Sequence, residues 1–286
     1  MTIQHHYYIK YTEKLLDFLD SKKIKYEFSV SAGNILLDIC ENNKHFAEFM
    51  QFIPEDAFCT KKYVFSKKEL DEAKWLTMRC TNQKFEAQSW EETFEYSCTE
   101  TRTAINHRGK PEIHEYANHG KQIAPYQFTK ANIKWGKSSF CGTITGGRDT
   151  IFCNDNAVSV IESNGLTGLS FAPVLQHRKN VYLENVHQLV FDNIIPDEKT
   201  QMQGLDKVWH CPHCGKKKYM YNSLSRLVID RDALGEQDFY STEENYHYWS
   251  DETRPQALFI VSQRAYRVLK ENRMTGTLEF FPLLTK

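Results

Sequence analysis

The chain has 286 residues, of which 41% are hydrophobic and 26% are charged, and its formal net charge is −1. This composition excludes a disordered chain and is typical of one large folded domain or two to three small ones. The balanced charge argues against a general nucleic-acid binder, because such proteins carry an excess of positive charge that attracts phosphates. No apolar run has the length of a membrane span, so we expect no membrane contact.

The N-terminal sequence and the cysteines indicate a cytoplasmic protein. Residues 1–14 lack the basic-then-apolar pattern of a secretion signal. The chain contains eight cysteines, and in a reducing cytosol we expect them to be free thiols, most of them buried. The predicted location is therefore the cytoplasm.

The first 80 residues predict a small α+β region. Apolar periodicity and turn residues indicate a helix, a hairpin of two strands and a second helix, at residues 12–23, 24–30 with 34–40, and 44–53. Ser66 and Glu69 have the spacing of a capping box at the start of a third helix, which continues into a strand. The order β-α-β-β-α, with room for a closing strand, favours a ferredoxin-like layer.

Two later segments resemble each other. Residues 157–168 (AVSVIESNGLTG) and 265–276 (AYRVLKENRMTG) share Ala, Val, Asn, Thr and Gly in register. In each copy a short apolar strand leads to a helix with apolar residues at i, i+3 and i+4, and another strand follows. The predicted N-caps are Asn154 or Asp155 in the first copy and Ser262 in the second. We interpret this similarity as an internal duplication.

The predicted fold class is therefore α+β. Two tandem strand–helix–strand modules, one carrying a CxxCG knuckle, follow a small α+β N-terminal region. The predicted boundaries are 1–90 for the N-terminal region, 91–190 for the first repeat module and 191–286 for the second repeat module with the knuckle.

The knuckle lies in the segment WHCPHCGKKKY, residues 209–219. Cys211 and Cys214 have the spacing of one half of a zinc ribbon, in which two thiolates lie on a tight turn closed by glycine. A closed zinc site needs four ligands, and the chain has no second CxxC motif. Alignment of the two modules places Cys98 at the position of Cys211, and Thr101 at that of Cys214. The predicted metal ligands are thus Cys211, Cys214 and Cys98.

Two interpretations of the cysteines are open. In the first, one structural zinc is bound by the three cysteines and by a histidine, for which His107, His114 and His213 are candidates. In the second, the knuckle is a relic hairpin with two reduced thiols. A catalytic zinc is not indicated, because catalytic sites usually offer histidine or carboxylate ligands and an open position. The three lysines at 216–218 fit either a phosphate contact or, more simply, a solvated face.

The segment 235–253 combines acidic and aromatic residues without any Lys or Arg. Acidic groups around exposed aromatic side chains would suit a contact with a basic protein. Alternatively, the segment is an acidic loop whose aromatic side chains point into the core. Its acidic and aromatic residues are Glu236, Asp238, Phe239, Tyr240, Glu243, Glu244, Tyr246, Tyr248, Trp249, Asp251 and Glu252.

Four segments in a fixed order carry a family resemblance. They begin with SFCGTITGGRDTIFCNDNAVSVIESNGLTGL and CPHCG, and they continue with VIDRDALGEQDF and ALFIVSQRAYRVLKENRMTGTLEFFPLL. Over roughly residues 95–286 the chain resembles the double-CxxCG-motif immunity proteins, which are associated with bacterial swarming-inhibition and other polymorphic toxin systems. This chain keeps one of the two CxxCG motifs, so a full four-cysteine zinc site does not carry over.

The resemblance implies an immunity protein that neutralises a cognate toxin in the cytoplasm by stoichiometric binding, without catalysis. The expected partner is therefore the toxin domain, a protein. A zinc-ribbon-containing nucleic-acid-binding or regulatory protein is the alternative function. A metal-dependent hydrolase would need a cluster of His, Asp and Glu that the sequence order does not provide.

Overall fold

The chain forms an α+β structure in which strands predominate, in agreement with the predicted fold class. The computed structural model describes all residues except 31–32, 55–56, 86, 89–92, 106–110, 130–132, 144–149, 180, 206, 244–245 and 249–255. The chain separates into two compact units, Met1–Glu69 and Leu70–Lys286. The predicted divisions after residues 90 and 190 stay predictions. None of the described helices has the length and apolar character that crossing a membrane requires.

The first unit has the predicted β-α-β-β-α order followed by a closing strand, which is the ferredoxin-like connection. Its sheet is antiparallel with the order β2-β3-β1-β4. Alternate side chains of β1 and β3 pack against the two helices to form the core. Its elements are β1 (Thr2–Lys10), α1 (Glu13–Lys22), β2 (Tyr26–Phe28), β3 (Asn34–Cys40), α2 (Phe46–Phe49), a 3-10 turn (Met50–Phe52) and β4 (Phe58–Val64).

The predicted capping box at Ser66 is confirmed. The Glu69 carboxylate accepts hydrogen bonds from the backbone N–H and the hydroxyl of Ser66, both at 2.8 Å, and the Glu69 N–H donates to Ser66 Oγ at 3.2 Å. These bonds satisfy backbone donors that a helix start leaves free. Ser66 directly precedes the helix α3 (Lys67–Glu72), so the capping box lies at the start of that helix.

Two large sheets of the second unit enclose its main core. The seven-stranded sheet has the order β6-β11-β12-β14-β13-β10-β7, and the five-stranded sheet has the order β15-β20-β22-β5-β23. Their strands are β5 (Trp75–Cys80), β6 (Gln83–Phe85), β7 (Ala87–Gln88), β10 (Gln127–Phe128), β11 (Phe140–Thr143), β12 (Ile151–Cys153), β13 (Leu169–Gln176), β14 (Val181–Phe191), β15 (Ile194–Ile195), β20 (Phe239–Thr242), β22 (Phe259–Ser262) and β23 (Leu278–Pro282). Two helices, α4 (Asp155–Ser163) and α5 (Gln263–Glu271), pack in this core.

Three smaller sheets complete the second unit. The strands of the first are ordered β16-β19-β24, those of the second β17-β18-β21, and the third is the hairpin β8-β9. Their strands are β8 (Phe94–Ile105), β9 (Pro111–Gln122), β16 (Thr200–Gln203), β17 (Lys207–His210), β18 (Lys217–Tyr221), β19 (Arg226–Ile229), β21 (Tyr246–Tyr248) and β24 (Leu284–Thr285). Short 3-10 turns lie at Asp197–Lys199, Arg231–Ala233 and Thr275–Thr277.

The two segments predicted to be similar have the same local topology. In the first, β12 and β13 lie on either side of β14 and are antiparallel to it. In the second, β22 and β23 lie on either side of β5, again antiparallel. The helix connects the two outer strands in both cases. The strand β5, which the sequence placed in the N-terminal region, is therefore the central partner of the second segment.

The helices of these segments also begin in the same way. The side chains of Asn154 and Ser262 accept hydrogen bonds from the backbone N–H groups of Ala157 and Ala265, both at 3.0 Å. Asn154, rather than Asp155, is thus the N-cap of the first helix. Both helices cap their first turn with a short polar side chain, as the sequence predicted.

Their C-terminal ends match as well. The side-chain amides of Asn164 and Asn272 donate to the carbonyl oxygens of Val160 and Val268, both at 2.8 Å. The next residue has a positive φ in each segment, 58° at Gly165 and 57° at Arg273. The shared turn explains why both sequences have asparagine at this place.

A buried carboxylate joins the two segments. Asp238, which is 3% exposed, accepts hydrogen bonds from the Thr167 N–H at 3.0 Å, from Ser262 Oγ at 2.6 Å and from Arg264 Nε at 3.1 Å. Arg264 Nη2 also donates to Asp238 and to the Gly165 carbonyl. Burial by itself raises the pKa of Asp238, but these donors outweigh burial and hold the pKa below its usual value.

Gly168 lies where the first segment contacts the strand β20. Its φ is +94°, and a Cβ at this position would lie 2.4 Å from the carbonyl oxygen of Phe239. The Phe239 N–H in turn donates to the carbonyl of Thr167 at 3.1 Å. The backbone approach therefore requires glycine for both its conformation and its lack of a side chain.

Candidate metal centre

The CxxCG segment forms the turn of the β17–β18 hairpin. The Cys211 N–H donates to the carbonyl of Lys216 at 2.8 Å, and the Gly215 N–H donates to the carbonyl of Cys211 at 2.9 Å. Gly215 has a φ of 72°, a conformation that favours glycine. The turn closes the knuckle and holds Cys211 and Cys214 at its tip.

Cys98 lies at an irregularity of the β8–β9 ladder. Tyr96 is opposite Gly120 and Thr99 is opposite Ala117, which is regular antiparallel pairing, but Cys98 is opposite His119. The register therefore shifts by one residue at Cys98 and returns directly afterwards. Such bulges change the direction of a side chain and are frequent beside functional sites.

The fold brings the three predicted cysteines together. The sulfur atoms of Cys98, Cys211 and Cys214 all lie within 4.8 Å of one another. Cys98 and Cys211 are buried, and Cys214 is exposed. Tetrahedral zinc with bonds of about 2.3 Å separates its sulfur ligands by roughly 3.8 Å. The limit of 4.8 Å includes this separation, and the cluster could hold a metal ion.

The protonation of the thiols is uneven. Burial raises the pKa of Cys98 to about 11, and the two neighbouring thiols add to this effect. Burial also acts to raise the pKa of Cys211, but the backbone N–H groups of Cys214 and His213 donate to its sulfur and lower the pKa below its usual value. Backbone donors to a sulfur stabilise the thiolate, which is the form of cysteine that binds a metal.

Comparisons of the chain with protein-family models, with curated proteins and with solved structures find no match.

The lysines of the knuckle do not form one basic surface. Lys218 is only 4% exposed, and its Nζ lies 4.7 Å from the centre of the Trp209 ring, which lies across the hairpin from it. Lys216 and Lys217 are exposed. A cation over an aromatic ring stabilises the hairpin, so one of the three charges is used inside the fold rather than presented to phosphate.

The predicted histidines occupy different places. His213 is exposed within the knuckle, His114 lies in β9 opposite Arg102, and His107 lies outside the described residues. Sequence reasoning did not select His119, the partner of Cys98 in the ladder. A predicted hairpin would give the approximate pairing of its strands, but not the bulge that places Cys98 opposite His119.

The aromatic side chains of the acidic segment that the structure describes belong to the core. Phe239, Tyr240 and Tyr246 are 1%, 5% and 1% exposed, and Asp238 is the buried partner of Arg264. These residues therefore follow the second of the two interpretations, and they do not form an exposed binding surface. For Phe239 and Tyr240 the physical reason is that all four residues of β20 are buried, so both faces of that strand are covered. Glu244, Trp249, Asp251 and Glu252 lie outside the described residues.

Proposed function

We propose that this chain is a zinc-stabilised immunity protein that neutralises a cognate bacterial toxin by binding it. In this proposal the protein acts in the cytoplasm, forms a stoichiometric complex with the toxin domain and catalyses no reaction. The observation that carries it is the cluster of Cys98, Cys211 and Cys214, because it joins the CxxCG knuckle to the module that lacks a complete motif. The toxin-neutralising function is proposed because four sequence segments within residues 95–286 resemble those of the immunity proteins, in the same order.

The donor set favours zinc as the bound metal. Three thiolates are soft ligands, which select zinc, copper(I) or iron–sulfur clusters over magnesium and calcium. Tight turns with CxxC spacing are typical of structural zinc. With two of the three sulfurs in buried residues, the metal would hold two hairpins together rather than meet a substrate.

The shared topology and caps support a duplication of the strand–helix–strand segment. Matching hydrogen bonds at both helix ends are more specific than a shared apolar pattern, which any two amphipathic helices would show. In this proposal Cys98 is what remains of the first CxxCG motif. Loss of its second cysteine, where Thr101 now stands, leaves a three-cysteine site.

The acidic segment contributes charge, rather than aromatic anchors, to the proposed complex. Toxins that act on nucleic acids are often basic, and carboxylates on an inhibitor accelerate association with a basic surface. Reversal of Glu243, Glu244, Asp251 and Glu252 to lysine should therefore slow association most strongly at low salt. Reversal of the exposed residues Glu13 and Asp17 on α1, in the first unit, is the matched control.

The decisive experiment uses the toxin domain encoded beside this chain's reading frame. Co-expression should restore growth of cells that produce the toxin, and the two proteins should co-purify in equal amounts. The Cys98→Ser and Cys211→Ser variants should protect less well at equal protein levels. A folded wild-type chain that neither binds this toxin domain nor protects the cells overturns the toxin-neutralising function.

A further inference from the structure

A histidine, a cysteine and a glutamate come together on the core face of the sheet in the first unit. His5 lies in β1 and is 3% exposed. Cys59 lies in β4 directly opposite Tyr7 of β1, and opposite residues of a ladder, like residues two apart on one strand, share a face. Glu41 directly follows β3, and its N–H donates to the carbonyl of Ile3 at 2.9 Å. Three strands therefore bring these three side chains to one place.

The two ring nitrogens of His5 have different partners. Nε2 lies 2.9 Å from Glu41 Oε1, and Nδ1 lies 3.6 Å from Cys59 Sγ, within the reach of a hydrogen bond to sulfur. A carboxylate only accepts hydrogen bonds, so in the neutral ring Nε2 carries the proton and Nδ1 faces the sulfur with its lone pair. The ring also packs against Phe46 of α2, at 5.0 Å between the ring centres. These contacts hold His5 in the tautomer that can accept the proton of Cys59.

The Cys59 thiol needs such a base. Burial raises the pKa of Cys59 above its usual value, although the Tyr7 hydroxyl and the charge of Lys61 act to lower it. Cys59 is therefore protonated at neutral pH, whereas the nucleophile is the thiolate. Transfer of the proton to a neighbouring imidazole supplies this nucleophile without loss of the proton to solvent. The thiol can also donate to the carbonyl of Thr60 at 3.6 Å, but a carbonyl does not take up the proton.

The hydroxyl of Tyr7 is placed to stabilise the thiolate. It lies 3.2 Å from His5 Nδ1 and donates to Met50 Sδ, also at 3.2 Å. Burial raises the pKa of Tyr7, with a further contribution from Cys59, so this hydroxyl keeps its proton. When Cys59 loses its proton, the hydroxyl can turn to donate to the negative sulfur, which is a stronger acceptor than a thioether.

Cys59 is open to a small molecule from one side. The strand β4 is the last in the order β2-β3-β1-β4, and its outer edge pairs with no strand that the structure describes. Cys59 itself is half-buried, and Lys61, which lies opposite His5 on the same face, is exposed. The positive charge of Lys61 favours the thiolate and attracts an anionic reagent.

We propose that Cys59 is a reactive thiol that forms a mixed disulfide with a low-molecular-weight disulfide. The proton of Cys59 moves to His5 Nδ1, and the thiolate attacks one sulfur of the small disulfide. The S–S bond of that molecule breaks as the new S–S bond to Cys59 forms, and the leaving thiolate takes the proton from His5. Cys59 is thereby oxidised, and the released half of the small disulfide is reduced to a thiol. The exchange develops no charge on oxygen, so it needs no oxyanion hole. It involves none of the residues of the proposed metal centre.

The test measures how fast glutathione disulfide modifies Cys59 in the full chain. Tryptic peptides 26–44 and 45–61 contain Cys40 and Cys59 separately, so mass spectrometry after free thiols are blocked with N-ethylmaleimide follows both. Cys40 is the internal reference, because it is also half-buried but lies opposite Gln4, on the other face of the sheet from His5. Its rate of modification should be the same in all variants.

His5→Gln should slow the modification of Cys59 by about 10²-fold at pH 7, the lower end of what a positioned base contributes. His6→Gln is the matched control, because His6 also pairs with a carboxylate, that of Asp38 at 2.7 Å, but lies on the other face of the sheet. This variant should keep the wild-type rate at Cys59. Equal rates in the wild type and His5→Gln overturn the proposal.

The pH dependence separates loss of the base from a structural change. In the wild type the proton stays within the Cys59–His5 pair, so the rate should change little from about pH 7 to about pH 8. In His5→Gln the thiolate forms only by loss of the proton to solvent, and the rate should rise about tenfold over the same pH unit. If His5→Gln does not fold, as circular dichroism would show, Glu41→Gln replaces it, because the Glu41 side chain is 43% exposed. Glu41→Gln should slow the reaction of Cys59 and steepen its pH profile, and wild-type behaviour of this variant also overturns the proposal.

Discussion

Replacement of Cys98 with serine should remove most of the stability that zinc adds to the second unit. Cys98 lies 113 residues before Cys211, so a metal that binds both closes a long loop in the unfolded chain. On the scale established for disulfides, a loop of that size is worth roughly 5 kcal/mol. The Cys211–Cys214 pair can bind zinc in the unfolded chain as well, which reduces the net gain.

Loop closure and zinc binding by the unfolded chain together determine the expected change in the free energy of unfolding. Zinc should add about 3–5 kcal/mol to the free energy of unfolding of the wild type, and less than about 1 kcal/mol to that of Cys98→Ser. Urea denaturation with zinc and with a chelator measures the difference. All five tryptophans lie in the second unit, so their fluorescence reports on that unit alone. Cys40→Ser, in the first unit, is the control and should keep the full zinc effect. The reasoning is refuted if Cys98→Ser keeps it too.

Three further outcomes are expected. Gly168→Ala should destabilise the second unit by about 2–4 kcal/mol, because it adds a steric clash at a residue with a positive φ. Gly276→Ala is the control and should change stability by less than about 1 kcal/mol, since no atom lies within 4 Å of the added Cβ. Equal effects of the two variants in urea denaturation would contradict this prediction. Asp238 has a lowered pKa when folded, so its contribution is complete above about pH 4 and is lost as the pH falls. Asp238→Asn should flatten that part of the stability–pH curve, and an unchanged curve would count against the ion pair. Zinc should slow hydrogen exchange of β8 and β9 more than that of β1 and β3, and uniform slowing would exclude a local role for the metal.

Local features of the fold could be predicted from the sequence because they depend on neighbouring residues. The capping box at Ser66, the N-cap at Ser262 and the order of elements in the first unit follow from short-range spacing. The partners in the sheets could not be predicted in this way. The position of β5 between β22 and β23 depends on contacts such as that of Arg79 with Glu279, which are 200 residues apart in sequence, and no local pattern encodes such contacts.

The same distinction applies to the candidate site: some of its features could be predicted from the sequence and others could not. The cysteines could be found because the alignment of the two predicted modules places Cys98 at the position of Cys211, although the two are far apart in sequence. The pairing of Cys98 with His119 could not be predicted, since it depends on one bulge in a long hairpin. For the acidic segment, the composition suggested a binding surface that the described aromatic side chains do not form. Its aromatic residues have a composition typical of a binding surface, but Tyr246 is stacked on Tyr219 within the core.

A metal bound at the cysteine cluster would stabilise the β8–β9 hairpin. Its strands pair with each other and, among the described residues, with no other strand, and a two-stranded ribbon is marginally stable in water. At its base Gln122 exchanges two hydrogen bonds with Gln188, at 2.8 and 2.9 Å. Cys98 lies four residues into β8, so a metal shared with the knuckle adds a second point of attachment further along the strand. Two attachments would fix the direction of a ribbon that a single attachment leaves free to pivot, and we interpret the bulge at Cys98 as part of the proposed metal centre.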